Sequence, residues 1–322
     1  MNILSNLIIP RVNLNSQDSI NYALKLSSKY GFDSFILFST DVVEFGKREP
    51  FPVSALENFK KEIKKNIQEY YFFIDAEKGL GHRCKEGYLL SDQYIRKDIK
   101  DLYSIYNKIN KELKENNIFC NLAPVVDNNS NNLDILKNRV LGVDTSEIIE
   151  VANIFIQSCR ENKIEPCLKH FPGHGCLNGD THKDIFSSNL SLDELKKNHI
   201  SIFINLLSKV KLIMTAHGWY KAFDTKKLPA TLSNNILNKF LREKLNYKGL
   251  LMSDSMRMNS LTKNYDDIFI TKSFFESGGD LLLDPVDPLK TLKILENLNF
   301  NNHEFYENKI SKVLKFKKSR LS

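Results

Sequence analysis

The chain has 322 residues, 42% of them hydrophobic, and a formal net charge of +7 at neutral pH. That apolar share is ample for a buried core, and no uninterrupted apolar run approaches the roughly 20 residues a membrane helix needs, so no membrane-spanning helix is expected. The extra lysines are scattered over helix-like stretches such as ENFKKEIKKNIQEY, not gathered into a basic block with interleaved aromatics, which argues against nucleic-acid binding and leaves a mild attraction for anions.

The opening, MNILSNLIIPRVNLNS, carries no basic n-region, apolar h-region or small-residue cleavage site, so a cytoplasmic protein is expected. Apolar runs of strand length then recur at 6–12, 32–39, 70–77, 118–127, 165–171, 210–217, 249–255 and 280–285. Between them lie amphipathic segments. Leu56, Phe59, Ile63 and Ile67 step by three and four, as do Ile95, Ile99, Leu102, Tyr106, Ile109 and Leu113. Ser191 with Glu194 reads as a capping-box start to a helix running toward Leu207. From about residue 302 a basic helix is expected on the surface.

Hydrophobic strands alternating with amphipathic helices imply a parallel sheet covered by helices. Eight such units in about 300 residues predict a single (β/α)8 TIM-type barrel, with a doubly wound open sheet as the alternative. No linker composition interrupts the pattern, so residues 1–322 are expected to form one domain. Five cysteines (Cys84, Cys120, Cys159, Cys167, Cys176) without a C-x-x-C pair read as free thiols.

In such a fold the site lies at the carboxyl ends of the strands. Polar groups follow the runs there: Asp75 and Arg83, Asp127 and Arg139, Lys169 and His170, His217, and Asp254. Blander roles exist for several of them. Asp254 sits in good N-cap sequence, Asp75 and Arg83 could form a structural pair, Asp127 reads as a loop-capping carboxylate, His217 could be an interior histidine satisfied by backbone, and His174 reads as one. His170 and His174 have the i, i+4 spacing of metal ligands, but the intervening FPG forbids a helix, so no metal is expected. The methionines of MSDSMRM read as packing.

KHFPGHG with DTH four residues on, together with IMTAH, LPATLS and LMSDSMRM, resembles glycoside hydrolase family 3, specifically its single-domain β-N-acetylhexosaminidases that release N-acetylglucosamine from peptidoglycan fragments. The resemblance runs from FILFS to SGGDLLL. It implies a barrel with Asp254 as nucleophile, His182 as acid/base and Asp180 as its partner. Asp75, Arg83, Arg139, Lys169 and His170 are implied to bind sugar, and His217 is expected beside them. A histidine can serve as acid and then base near neutral pH if a carboxylate orients it. Gly173, Gly175 and Gly179 suggest a loop able to move over substrate. The sequence departs from the family pattern at Lys78, Leu80 and Cys176. The expectation is therefore a retaining exo-β-N-acetylglucosaminidase, a monomer acting on a small carbohydrate with no metal or organic cofactor, no nucleic acid and no membrane. A glycoside phosphorylase, a β-glucosidase-type activity and a non-catalytic sugar-binding relative are the alternatives.

Overall fold

The computed structural model describes residues 2–41, 49–91 and 99–319. In chain order the first half holds β1 (Ile8–Ile9), β2 (Arg11–Asn13), α1 (Gln17–Tyr30), β3 (Ser34–Phe38), α2 (Val53–Ile63), β4 (Tyr71–Ile74), α3 (Ile99–Glu115), β5 (Ile118–Asn121) and α4 (Thr145–Glu161). The second half holds β6 (Glu165–Phe171), β7 (Ser187–Ser188), α5 (Leu192–Leu195), α6 (Ser201–Leu206), β8 (Leu212–Thr215), β9 (Trp219–Tyr220), β10 (Leu250–Ser253), α7 (Asn259–Thr262), α8 (Asp267–Glu276), β11 (Leu282–Leu283), α9 (Pro288–Asn301) and α10 (His303–Lys318).

Every apolar run contains a strand. The expected Ile95 lies outside the described residues, and its helix is described from Ile99. Local signals set the helix ends. The Ser16 side chain accepts from Ser19 N–H to start α1, and Gly31 ends it at φ +79°. Ser191 and Glu194 form the full capping box at α5.

The expected closed (β/α)8 barrel is corrected by the pairing. The continuous sheet is open, parallel and seven-stranded, in the order β10-β8-β6-β5-β4-β3-β2. β1 and β11 form a separate two-residue parallel ladder, Ile8 beside Leu282 and Ile9 beside Leu283. Pro10 is the physical reason at one edge, because it has no N–H to continue a ladder and it separates β1 from β2. At the other, β11 stops where Asp284 turns to φ +52° and a proline follows. The short β7 and β9 pair with each other in a parallel ladder of their own, above the main sheet's connections, and had no counterpart in the expected runs.

All seven strands run the same way, so their carboxyl ends, with the loops that follow, share one side of the sheet. The opposite end is packed shut. Phe119 of β5 meets Tyr71, Phe73 and Phe316 edge-on, with ring centroids 5.0, 5.6 and 5.2 Å away. Phe316 belongs to α10, which also buries Tyr306, Ile310 and Val313, so this basic helix is half core and not a surface appendage. Its Lys317 is buried against Asp33 at 2.5 Å. Phe119→Ala should therefore destabilise the protein by about 3–5 kcal/mol, the usual cost of deleting a buried ring, and a urea titration followed by tryptophan emission should show the lower midpoint.

Candidate active site

One cavity of about 470 Å³ opens at the carboxyl ends of the strands. Asp75, Arg83, Arg139, Lys169 and His170 are all on its wall, and so are His182 and Asp254.

Its charged floor is built from three strand ends. Asp75 follows β4 directly, Lys169 and His170 sit near the carboxyl end of β6, and Arg139 comes from the long connection after β5. The Lys169 ammonium, 2% exposed, lies 2.8 Å from Asp75 and 2.7 Å from Glu77. The Arg139 guanidinium grips Glu77 through Nε at 2.9 Å and Nη2 at 2.7 Å. Arg83 closes the set with Nη2 at 3.0 Å from Asp75, its guanidinium stacked over Phe38. Burial pushes both carboxyls up, but Lys169 and Arg83 outweigh it at Asp75, and Arg139 and Lys169 at Glu77, so both end well below the usual carboxylate range. Asp75 and Arg83 are thus an ion pair and part of the cavity wall at once.

Glu77 was not singled out from the sequence, although it lies two residues after Asp75 at the same strand end. Gly79 lets this segment turn back. It has φ +112°, and a Cβ there would stand 2.3 Å from the Tyr88 carbonyl oxygen.

Asp127, fully buried, organises the next wall. It accepts from His174 N–H at 2.6 Å, His170 N–H at 3.3 Å and His170 Nδ1 at 2.7 Å. Burial raises the Asp127 carboxyl, yet His170 and the hydrogen bonds bring it below its ordinary value, so it is an acceptor only and His170 Nδ1 must carry the proton. His174 is buried edge-on to His170 and pushed down to about 4 by burial, so it is neutral. The glycines serve close approach. A Cβ on Gly175 would sit 2.0 Å from the Asn128 carbonyl oxygen, and one on Gly179 would sit 2.3 Å from the Phe186 ring. Their presence is explained by packing, without the loop movement they suggested in the sequence.

His182 and Asp180 lie farther along the same loop. Asp180 Oδ1 accepts from both His182 N–H at 2.9 Å and His182 Nδ1 at 2.8 Å. Burial raises the Asp180 carboxyl, but its hydrogen bonds with His182 outweigh this and hold it ionised. Nδ1 therefore carries a proton toward Asp180. Asp180 reaches the cavity only through His182.

Asp254 follows β10. Its Oδ1 accepts from Ser255 N–H at 2.7 Å. Burial raises this carboxyl, while the imidazoles of His170 and His182 and the Ser255 N–H outweigh it, so its pKa falls below the ordinary aspartate value. A carboxylate that stays ionised and an imidazole held at Nδ1 by Asp180 thus face one cavity with a paired, charged floor. That set can hold a polyhydroxylated ligand, attack an electrophilic carbon and protonate a leaving oxygen.

His217 is not where the sequence reading put it. It is fully buried and absent from the cavity wall, with Nε2 donating to the Ser255 carbonyl at 3.0 Å and Nδ1 2.8 Å from the Thr231 hydroxyl. Burial lowers its pKa and keeps it neutral. The physical reason is direction, because a group two residues past β8 can turn under the neighbouring β10 loop instead of into the cavity. Arg11, Ser255 and Asp284 are on the wall and were not anticipated.

The profile of the glycosyl hydrolase family 3 N terminal domain matches residues 35–315. The chain is 28% identical over 285 residues to beta-hexosaminidase A of Pseudoalteromonas piscicida, covering 81% of this chain and 47% of that protein. It is 29% identical over 185 residues to the beta-hexosaminidase of Idiomarina loihiensis, covering 58% and 55%. The chain thus spans about half the length of these two relatives. A glycoside hydrolase family 3 beta-N-acetylglucosaminidase from a Paenibacillus species superposes with a TM-score of 0.85 at 22% identity, over 99% of this chain and 62% of that one. At that identity the likeness speaks for the fold.

Lys169→Met should leave Asp75 and Glu77 facing each other with only the arginines to compensate them. Both carboxyls are depressed in the folded protein, so the stability they contribute is present above about pH 4 and is lost as pH falls through their folded values. The stability gap between wild type and Lys169→Met should therefore be widest at neutral pH and begin to narrow as pH falls below about 4, toward the depressed folded values. Thermal melts from pH 3 to 8 measure it, and a gap that does not vary with pH would contradict the pairing.

Proposed function

The chain belongs to glycosyl hydrolase family 3, and from that membership we propose that it is a retaining exo-β-N-acetylglucosaminidase. The observation that carries this reading is the His182–Asp180 pair set on the same cavity as the ionised Asp254. In the proposed cycle His182 Nε2 gives its proton to the glycosidic oxygen while Asp254 attacks the anomeric carbon, and the bond to the leaving sugar breaks as the glycosyl ester forms. Now neutral, His182 takes a proton from water, which attacks the same carbon and frees Asp254. Asp180 holds Nδ1–H throughout and stabilises the imidazolium without accepting its proton.

Asp75, Arg83, Arg139, Lys169 and His170 bind the sugar hydroxyls in this reading. The names of the relatives support N-acetylglucosamine as the sugar released. Cell-wall muropeptides handled in the cytoplasm are the natural substrates we propose, with one domain built on the open parallel sheet acting as a monomer.

A panel of chromogenic β-N-acetylglucosaminide, β-glucoside and β-xyloside tests enzyme against binder and identifies the sugar. Turnover of the first, with free N-acetylglucosamine as the product both with and without millimolar phosphate, is expected. A faster reaction yielding the sugar 1-phosphate would replace the hydrolase by a phosphorylase. Asp254→Ala should lower turnover by several orders of magnitude while sugar binding survives, and a fluorinated sugar that traps the glycosyl-enzyme should label Asp254 in a peptide map. His182→Ala should impair substrates with poor leaving groups far more than activated aryl glycosides, since an activated leaving group needs little protonation. Equal losses on both would show that His182 does not transfer the proton.

A further inference from the structure

Asp284 ends β11 at the far end of the chain, and its carboxylate is fully buried beside the cavity with every acceptor position used. Oδ1 accepts from Arg11 Nε at 3.1 Å and Arg257 Nε at 2.9 Å, and Oδ2 accepts from Arg11 Nη2 at 2.5 Å and the Ser255 hydroxyl at 2.6 Å. Arg11 is itself fixed by stacking 3.9 Å over the Phe38 ring. A carboxylate held at both oxygens by two guanidiniums cannot turn without giving up an ion pair.

The segment that carries Asp254 is attached to this anchor on both sides. Before it, the Ser253 hydroxyl accepts from Leu283 N–H at 2.9 Å. After it, Ser255 donates its hydroxyl to Asp284, and Met256 N–H donates to the Leu283 carbonyl at 3.1 Å. From the other side the Ser255 carbonyl accepts from His217 Nε2. Ser255 is thus held at its side chain and its carbonyl, and the atom left to it, the backbone N–H, points at Asp254 Oδ1.

We infer that Asp284, acting through Ser255, is a positioning residue for Asp254. The inference rests on the proposed role of Asp254 as nucleophile. Attack on the anomeric carbon needs one carboxylate oxygen aimed at it, and the Ser255 N–H, occupying Oδ1, leaves Oδ2 as the attacking oxygen. Small losses of such aim reduce turnover sharply. Arg11 and Arg257 hold Asp284, and His217 holds the opposite side of Ser255, which gives this buried histidine a part in the site without contact to sugar.

The test uses Ser255→Ala, Ser255→Thr, Asp284→Asn and the Ser255→Ala/Asp284→Asn double variant on the chromogenic N-acetylglucosaminide. Ser255→Ala removes only the hydroxyl link and should lower kcat on the order of tenfold, leaving KM within about twofold. Ser255→Thr, which keeps a hydroxyl, should recover most of it. The double variant should be no slower than Asp284→Asn, because both changes break one path. If Asp284→Asn does not fold, the alanine and threonine pair still decides. Wild-type kcat in Ser255→Ala, or a double-variant loss equal to the product of the single losses, would overturn the inference.

Carbon-13 NMR titration of Asp254 gives a readout independent of turnover, with His170, His182 and His217 as the titratable neighbours to account for. Its carboxyl should titrate higher in Ser255→Ala than in wild type. An unmoved titration in an active enzyme would sink the positioning role, whereas a moved titration in a protein without glycosidase activity would sink the proposed function instead.

Discussion

The site depends on one buried ammonium. Lys169 leaves β6 with its charge 2% exposed and meets carboxylates delivered by the end of β4. An isolated cation there would cost several kcal/mol to desolvate, and so would either carboxylate. Together they are tolerable, and only at one spacing, because Asp75 and Glu77 each need a second cation and find it in Arg83 and Arg139. Three segments of the chain, after β4, after β5 and at the end of β6, thereby lose their independence. The depth of the cavity and the directions of its donors follow from that mutual compensation. The same logic recurs at Asp284, where a second buried carboxylate ties the start of the chain to its end through Arg11.

Much of this was legible in the sequence because strand ends announce themselves. Asp75, Lys169, His170 and Asp254 each terminate or follow an apolar run, and the parallel arrangement brings the ends of such runs together. Glu77 obeyed the same rule and could have been found two residues after Asp75. Sheet closure was less accessible, since a count of apolar runs is blind to who pairs with whom. Pro10 did carry the signal, as a proline inside a run marks an interrupted ladder. Side-chain direction past a strand end has no sequence signal, so the interior and sugar-facing readings of His217 could not be separated before the structure placed it against Thr231 and the Ser255 carbonyl.

Arg11 and Asp284 show a different limit. They are 273 positions apart and neither stands in a distinctive motif. Their partnership exists only because the β1 and β11 ladder brings the two ends of the chain side by side, a consequence of topology that no local reading can supply. The glycine cluster illustrates the converse, a pattern that was easy to see and easy to misread. Glycine abundance permits both motion and close approach, and the distances from Gly175 to Asn128 and from Gly179 to Phe186 favour the second.

Exposure within the site is uneven. Lys169 and Asp127 are at 2% and 0% side-chain exposure, whereas His182 and Asp180 stand at 22% and 25%, close to Asp75 at 23% and Arg139 at 21%. Burial strengthens fixed electrostatic contacts, so groups that only grip gain from losing water. A group that donates a proton and then removes one from an incoming acceptor needs the opposite, a route to solvent at each turnover. In the proposed cycle, an imidazole on a loop at the rim, paired with Asp180, meets that need while the anchored Asp254 lies deeper in the cavity. In the proposed cycle the rigid half of the site supplies aim and the wetter half supplies protons, and it is the parallel sheet, with all its carboxyl ends on one side, that lets the two meet across a single cavity.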